Sequence, residues 1–277
     1  KNSFIKAKIK SFGAELNSLQ KIENDFEYIW QADSQYWARH SPVLFPIVGR
    51  LKDDSYFYKD KKYSLSQHGF ARDKEFELIK KGEDFIEFSL KNDEATLKIY
   101  PFLFELNISY KLEKTKLIIS YKIKNRSEDR LYFSIGAHPA FNISSDDFLD
   151  FEDVRTSKRY FLDDKGLIYK NEEVSFTKNS LILDEEIFTN DALVFNDKNI
   201  KSIILRDKNN NKILKVEFKD FPYLGIWSKP NLAPFVCIEP WFGVADEENS
   251  NQNIEEKKGI QVLEKDEVFS CFYSIEV

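Results

Sequence analysis

The chain runs to 277 residues, 42% hydrophobic and 15% aromatic, so it can bury a sizeable core and is not a disordered segment. Its formal net charge of −6 comes from 47 acidic and 41 basic residues that are interspersed, which argues against the basic stripe of a nucleic-acid binder. No apolar run approaches the ~18 residues of a membrane span.

With Phe 25 and Tyr 13, the aromatic load favours strands over helices. In chain order, Asp33 as a cap predicts one short helix over Ser34–Trp37. PVLFPIVG (42–49) is the longest apolar run and is broken by two prolines. It closes on Gly49, where the backbone can approach a neighbour, and on Arg50, which by spacing alone reads as a surface residue ending a strand. A strand over 63–65 leads into QHGFAR (67–72), where His68 and Arg72 suggest a polar pocket wall.

FIEFSL and TLKIY around KNDEA predict a hairpin over 85–100. LNISYKLEKTKLIISYKI (106–123) predicts another, with Leu106, Ile108, Tyr110 and Leu112 sharing a buried face with Leu117, Ile119, Tyr121 and Ile123. In LYFSIGAHPAFN, alternation puts Ser134, Gly136 and His138 on one face, and Pro139 ends ladder pairing just beyond. The polar stretch 144–158 reads as a surface connector. Asp191 opens NDALVF as a turn or cap residue. The segment 200–218 is a further hairpin, turning at DKNNNK.

In FVCIEPW, Glu239 shares a face with Phe235 and Cys237. An ionised carboxylate in so apolar a strand costs several kcal/mol unless paired, so its pKa should rise. The stretch 246–259 again reads as a polar connector. With no composition shift, linker or repeat, a single domain over 1–277 is expected. Its class is all-β, a large antiparallel sandwich or barrel.

Cys237 and Cys271 lie in strand-like runs without metal-ligand spacing and are expected as free thiols. With no signal-peptide pattern at Lys1, they point to a reducing cytoplasm. Of the three histidines, His40 has no special context. His68 and His138, with Glu239, make a plausible general acid/base set. They also match a two-His, one-Glu zinc inventory in kind, but the helical HExxH spacing is missing, so no metal and no cofactor is expected. Trp37, Phe141, Trp227 and Trp241 are core candidates, any of which could stack on the C–H face of a sugar if it lined a pocket.

SPVLFPIVGRL, SLSQHGFAR, YPFLFEL, FSIGAHPAFN, NDALVF, FPYLGIWSKP and APFVCIEPWFGVAD, in this order, resemble the aldose 1-epimerase (galactose mutarotase-like) family, in particular its shorter bacterial branch. The resemblance implies a large antiparallel β-sandwich and a small-molecule sugar as partner. It also implies roles. Glu239 resembles the general base on the anomeric hydroxyl, and His138 the general acid at the ring oxygen. His68 looks like their sugar-binding partner, and Arg50 like the arginine that holds a hydroxyl. Asp191 is similar to an aspartate binding sugar hydroxyls, though its flanks depart from the DHP-type pattern of longer members. Arg72 resembles a phosphate-contacting arginine of relatives acting on hexose 6-phosphates, so both hexose and hexose phosphate stand as substrates. A non-catalytic sugar-binding role on the same scaffold is the remaining reading.

Overall fold

The structure is a computed structural model that describes residues 1–184, 186–230 and 233–277. Two antiparallel sheets dominate. One has nine strands, in the order Ser180–Ile182, Phe148–Asp150, Ser202–Arg206, Lys212–Glu217, Val268–Glu276, Lys116–Asn125, Phe104–Glu113, Phe85–Lys91, Glu77–Lys81. The other has eight. Seven run in the order Ile168–Ser175, Thr156–Leu162, Leu193–Phe195, Tyr223–Trp227, Phe235–Phe242, Ile135–Ala137, Val43–Leu44, and Ala140–Asn142 also pairs with Phe235–Phe242.

The central hairpin of the nine-stranded sheet is the one expected from period-two alternation. Phe104–Glu113 pairs with Lys116–Asn125, and the eight alternating apolar residues are all buried. Burying a side chain of that size contributes about 1.5–3 kcal/mol. The two sheets close over one core. Phe45, next to the Val43–Leu44 strand, lies 5.0 Å from Phe104 by ring centroids, and Phe242 lies 4.9 Å from Phe269. The all-β antiparallel sandwich is therefore the architecture.

Three local expectations fail. The segment 144–158 is not only a surface connector: it supplies the strand Phe148–Asp150 to the nine-stranded sheet and buries Leu149 and Phe151, apolar residues set among acidic neighbours. The segment 85–100 is not a hairpin: Phe85–Lys91 is a strand, but it pairs with Phe104–Glu113, and Glu94–Ile99 is a helix. The Asp93 carboxylate accepts from the Thr96 N–H and the Thr96 hydroxyl accepts from the Asp93 N–H. This reciprocal cap decides the segment over the strand-like look of TLKIY. Tyr100 precedes a proline, which disfavours helical backbone there and ends the helix. The helix expected at Ser34–Trp37 is only a turn, in which the Trp37 and Tyr36 N–H groups both donate to the Asp33 carbonyl. No helix of the described residues is long and apolar enough to cross a membrane.

The alternation of the eight-stranded sheet separates core from site. Val236 and Ile238 face the inter-sheet core, as do Leu224, Ile226, Leu193 and Phe195. The intervening residues, Glu239, Trp241, Trp227 and Val194, line a cavity on the sheet's other face. One face thus supplies stability and the other chemistry.

Candidate active site

The cavity encloses about 310 Å³, at the small end of ligand sites, which span about 300–1,000 Å³. Its floor is the strand Phe235–Phe242. The indole of Trp241 lies across the neighbouring strands, and two glycines make this possible. A Cβ on Gly225 would stand 2.4 Å from the Trp241 ring, and one on Gly136 would stand 2.6 Å from it. Gly225 sits directly opposite Glu239 in the ladder, and Gly136 opposite Trp241. The space that lets Trp241 lie flat is therefore created beside the carboxylate.

Glu239 and His138 meet in this cavity. His138 Nε2 is 3.2 Å from Glu239 Oε2, although the angle between them does not form a hydrogen bond. Glu239 is 1% exposed and His138 7%. Burial pushes the Glu239 carboxyl well above its usual range, and the negative charge of Asp191 pushes the same way, against the Trp241 indole N–H. Burial pulls His138 down to about 3, helped by the positive charges of Arg72 and Arg39. Both effects favour the uncharged forms, the carboxyl of Glu239 and the neutral imidazole of His138.

The imidazole is fixed by aromatic packing. Trp37 stacks on it with centroids 4.9 Å apart and an interplanar angle of 25°, and Trp227 meets it edge-on at 5.9 Å. Trp37 and Trp227, read from sequence as core candidates, both line the cavity, as does Trp241. Phe141 is fully buried in the core.

His68 also lines the cavity, its ring edge-on to that of His138 with centroids 5.7 Å apart. Its backbone N–H donates to the Gly49 carbonyl at 2.9 Å, and the Gly49 backbone N–H donates to the ring nitrogen His68 Nδ1 at 3.1 Å. A backbone amide can only donate, so Nδ1 carries the lone pair and the ring proton of neutral His68 sits on Nε2. Burial, then the neighbouring His138, Arg72 and Arg39, keep this imidazole neutral by lowering its pKa well below the ordinary value. His68 itself has φ +67°. The following Gly69 admits no side chain, because a Cβ there would sit 2.3 Å from the Phe45 carbonyl oxygen.

Arg72 lines the cavity, donates from Nη2 to the Gln67 carbonyl at 2.7 Å and has its Nε 3.7 Å from Asp73. Arg39 donates to the same Asp73 at 2.9 Å. Asp191 also lines the cavity, with φ +67°, and its carboxylate accepts from the Ala192 N–H. Arg50 is not among the lining residues. Its guanidinium makes a two-pronged pair with Asp54, both bonds 2.8 Å. His40 lies away from the cavity, 3.8 Å from the Glu15 carboxylate.

One supporting element was not legible from sequence. Val244 and Ala245 line the cavity, and behind them Lys257 Nζ donates to the Val244 carbonyl at 2.6 Å and pairs with Asp246 at 2.9 Å. The pair is 2% and 3% exposed. Asp246 also accepts from the Lys52 N–H. The segment 246–259 had read as a polar surface connector, and a lysine flanked by Glu and Lys offers no sign that it is buried.

Four of the ten buried side-chain polar atoms that lack a partner among the described residues belong to this cavity's lining: Glu239 Oε2, His138 Nδ1, Trp241 Nε1 and Arg72 Nε. Such atoms are costly and uncommon in folded proteins, and this cavity gathers four of them.

The sequence and the fold both have known relatives. A family profile described as aldose 1-epimerase matches residues 1–271. The plasmid-encoded protein LacX of Lactococcus lactis subsp. lactis is 33% identical over 273 residues, covering 93% of this chain and 91% of LacX. The crystal structure of a galactose mutarotase related enzyme from Lactobacillus acidophilus superposes with a TM-score of 0.94 at 36% identity, covering 100% of this chain and 95% of that one. A galactose mutarotase-like protein from Lactobacillus casei gives 0.93 at 29% identity, covering 100% and 98%. The chain belongs to the aldose 1-epimerase family, with the galactose mutarotase-like fold.

Proposed function

We propose that the protein is an aldose 1-epimerase that interconverts the α and β anomers of a hexose by ring opening and closure. The observation that carries this is the pair of Glu239 and His138, 3.2 Å apart in a cavity of monosaccharide size. The reaction takes a proton from O1 and gives one to the ring oxygen. The C1–O5 bond then breaks, C1 turns about its bond to C2, and the steps reverse onto the other face. One proton is taken up and one released at each stage, so the pair needs one proton between its two groups.

In this reading the shared proton passes from Glu239 to His138 when the sugar binds, which leaves Glu239 as the base at O1 and His138 as the acid at the ring oxygen. Burial makes the carboxylate a strong base and the imidazolium a strong acid, which suits proton transfer in both directions. Proximity contributes as well, because a fixed pyranose presents both oxygens at once. His68, whose Nε2–H is free to donate, and Asp191 would hold hydroxyls, and Trp241 would lie against the ring's apolar face. Arg50, being held by Asp54, would join them only by leaving that pair.

A second reading, a hexose 6-phosphate as substrate, is favoured by Arg72. Its guanidinium lines the cavity with Nε unpartnered, and Arg39 lies beside it across the shared Asp73, a disposition suited to a phosphate.

Polarimetry of freshly dissolved α-glucose, α-galactose and their 6-phosphates tests both. Acceleration of the unphosphorylated sugars supports the first reading. Acceleration confined to the phosphates, lost in Arg72→Leu, supports the second. Saturable binding of these sugars without acceleration would leave a binding protein in place of an enzyme.

A further inference from the structure

Cys237 takes no part in the reaction proposed above, yet it is built into the same corner. It sits two residues before Glu239 on the same strand face, pairs in the ladder with Ala140 just after the His138–Pro139 step, and is a free thiol with no exposure. One imidazole nitrogen of His138, the sulfur of Cys237 and one carboxylate oxygen of Glu239 all lie within 4.8 Å of one another.

We propose that this corner is an inhibitory site for a thiophilic divalent cation of the zinc type, held by His138, Cys237 and Glu239 with the fourth position open to the cavity. Zinc bonds of about 2.0–2.3 Å in a tetrahedron space their ligand atoms by about 3.3–3.6 Å. His138 and Glu239 already stand 3.2 Å apart, and the sulfur needs an approach of only about 1 Å, within the reach of side-chain torsion. Charge also balances: binding releases the thiol and carboxyl protons to solvent, and the resulting thiolate and carboxylate together neutralise the dication, so the buried site carries no net charge once loaded. The Glu239 oxygen that lacks a hydrogen-bond partner in this pocket would gain one bond to the metal. Three protein ligands and one open position is the arrangement that holds exchangeable zinc.

Loading the site occupies the lone pairs that the proposed reaction uses to move protons, so the cation blocks exchange instead of assisting it. Binding stands on the geometry alone, whereas inhibition rests on the acid/base reading of the same pair.

Cobalt(II) titration of the full chain reports binding directly through a thiolate charge-transfer band in the near ultraviolet. The band should appear with stoichiometric cobalt, be erased by zinc, persist in Cys271→Ser and be lost in both Cys237→Ser and Cys237→Ala. In parallel, zinc should depress anomer exchange at least about tenfold, reversibly with a chelator, while Cys237→Ala keeps exchange within about twofold of the parent and resists zinc. Absence of the band, or its survival in both Cys237 variants, overturns the site. A Cys237-dependent band in a protein that exchanges no sugar establishes the site and overturns the reaction reading instead.

Discussion

At the level of single residues, the site is a problem of where one proton resides. Glu239 is expected to be the group whose loss is most visible: Glu239→Gln should lower kcat by about 10²–10⁴-fold while sugar binding survives. The same substitution should stabilise the fold. The folded-state pKa of Glu239 lies above its ordinary value, so its contribution to stability is full below about pH 4.5 and is lost as pH rises through the raised value. The glutamine is neutral throughout. Urea unfolding should therefore show Glu239→Gln level with the parent near pH 4 and more stable by about 1–3 kcal/mol near pH 8. A constant difference across that range would contradict the buried-carboxyl account.

His138 and Glu239 were legible because each stood in a context that disfavours it, a histidine before proline at a strand end and a carboxylate in an apolar strand. Trp37 was only half legible. Its aromatic character suggested core, and nothing in DSQYW shows that the ring stacks on His138. The pairing of Arg50 with Asp54 is likewise a side-chain choice among several reachable partners, which the sequence leaves open.

At the level of elements, two devices hold the cavity. The first is the pair of glycines flanking Trp241. Gly225→Ala would press a methyl carbon against the indole and should cost about 1–3 kcal/mol, with the displaced ring lowering activity beyond what lost stability explains. Trp fluorescence together with the unfolding midpoint checks this. An alanine variant of parental stability and spectrum would show that the indole has room to spare.

The second device is Lys257–Asp246. Lys257→Met leaves a carboxylate buried without its cation and should cost about 3–5 kcal/mol. Adding Asp246→Leu should recover part of that in a double-mutant cycle, though the Lys52 N–H then loses its acceptor. Strands with strict alternation, such as Phe104–Glu113 and Lys116–Asn125, were readable because burial on one face imposes period two. The helix Glu94–Ile99 was not, because six residues are too short for a 3.6-residue period to declare itself, and its cap depends on two side chains closing on each other.

For the whole molecule, the sandwich followed from many short strands with polar turns between them. The order of strands did not, since strands as far apart in sequence as Val43–Leu44 and Ile135–Ala137 become neighbours through sheet pairing that composition does not encode. That pairing brings His68, His138 and Glu239 to one cavity, so the convergence of the site became visible only with the fold.

Acid stability is a global consequence. His138 and His68 both have folded pKa values below the ordinary histidine value of 6.5, so the unfolded chain binds more protons than the native one below about pH 6.5. Their contribution is full above that pH and is lost as pH falls through the lowered folded values, about 3 for His138, opposite in sign to that of Glu239. His68→Asn should flatten the decline of the unfolding midpoint between pH 6.5 and 4 relative to the parent, and an unchanged decline would mean that His68 is not held neutral by the fold.

Proton exchange between the Glu239–His138 pair and the two hemiacetal oxygens of one sugar can be read by magnetisation-transfer NMR between the α and β anomeric signals at equilibrium, with sugar binding measured on the same samples. Transfer should be catalysed by the parent protein and should fall about 10²-fold or more with Glu239→Gln or His138→Asn while binding persists. Parent-like transfer in either variant, with binding intact, would contradict it.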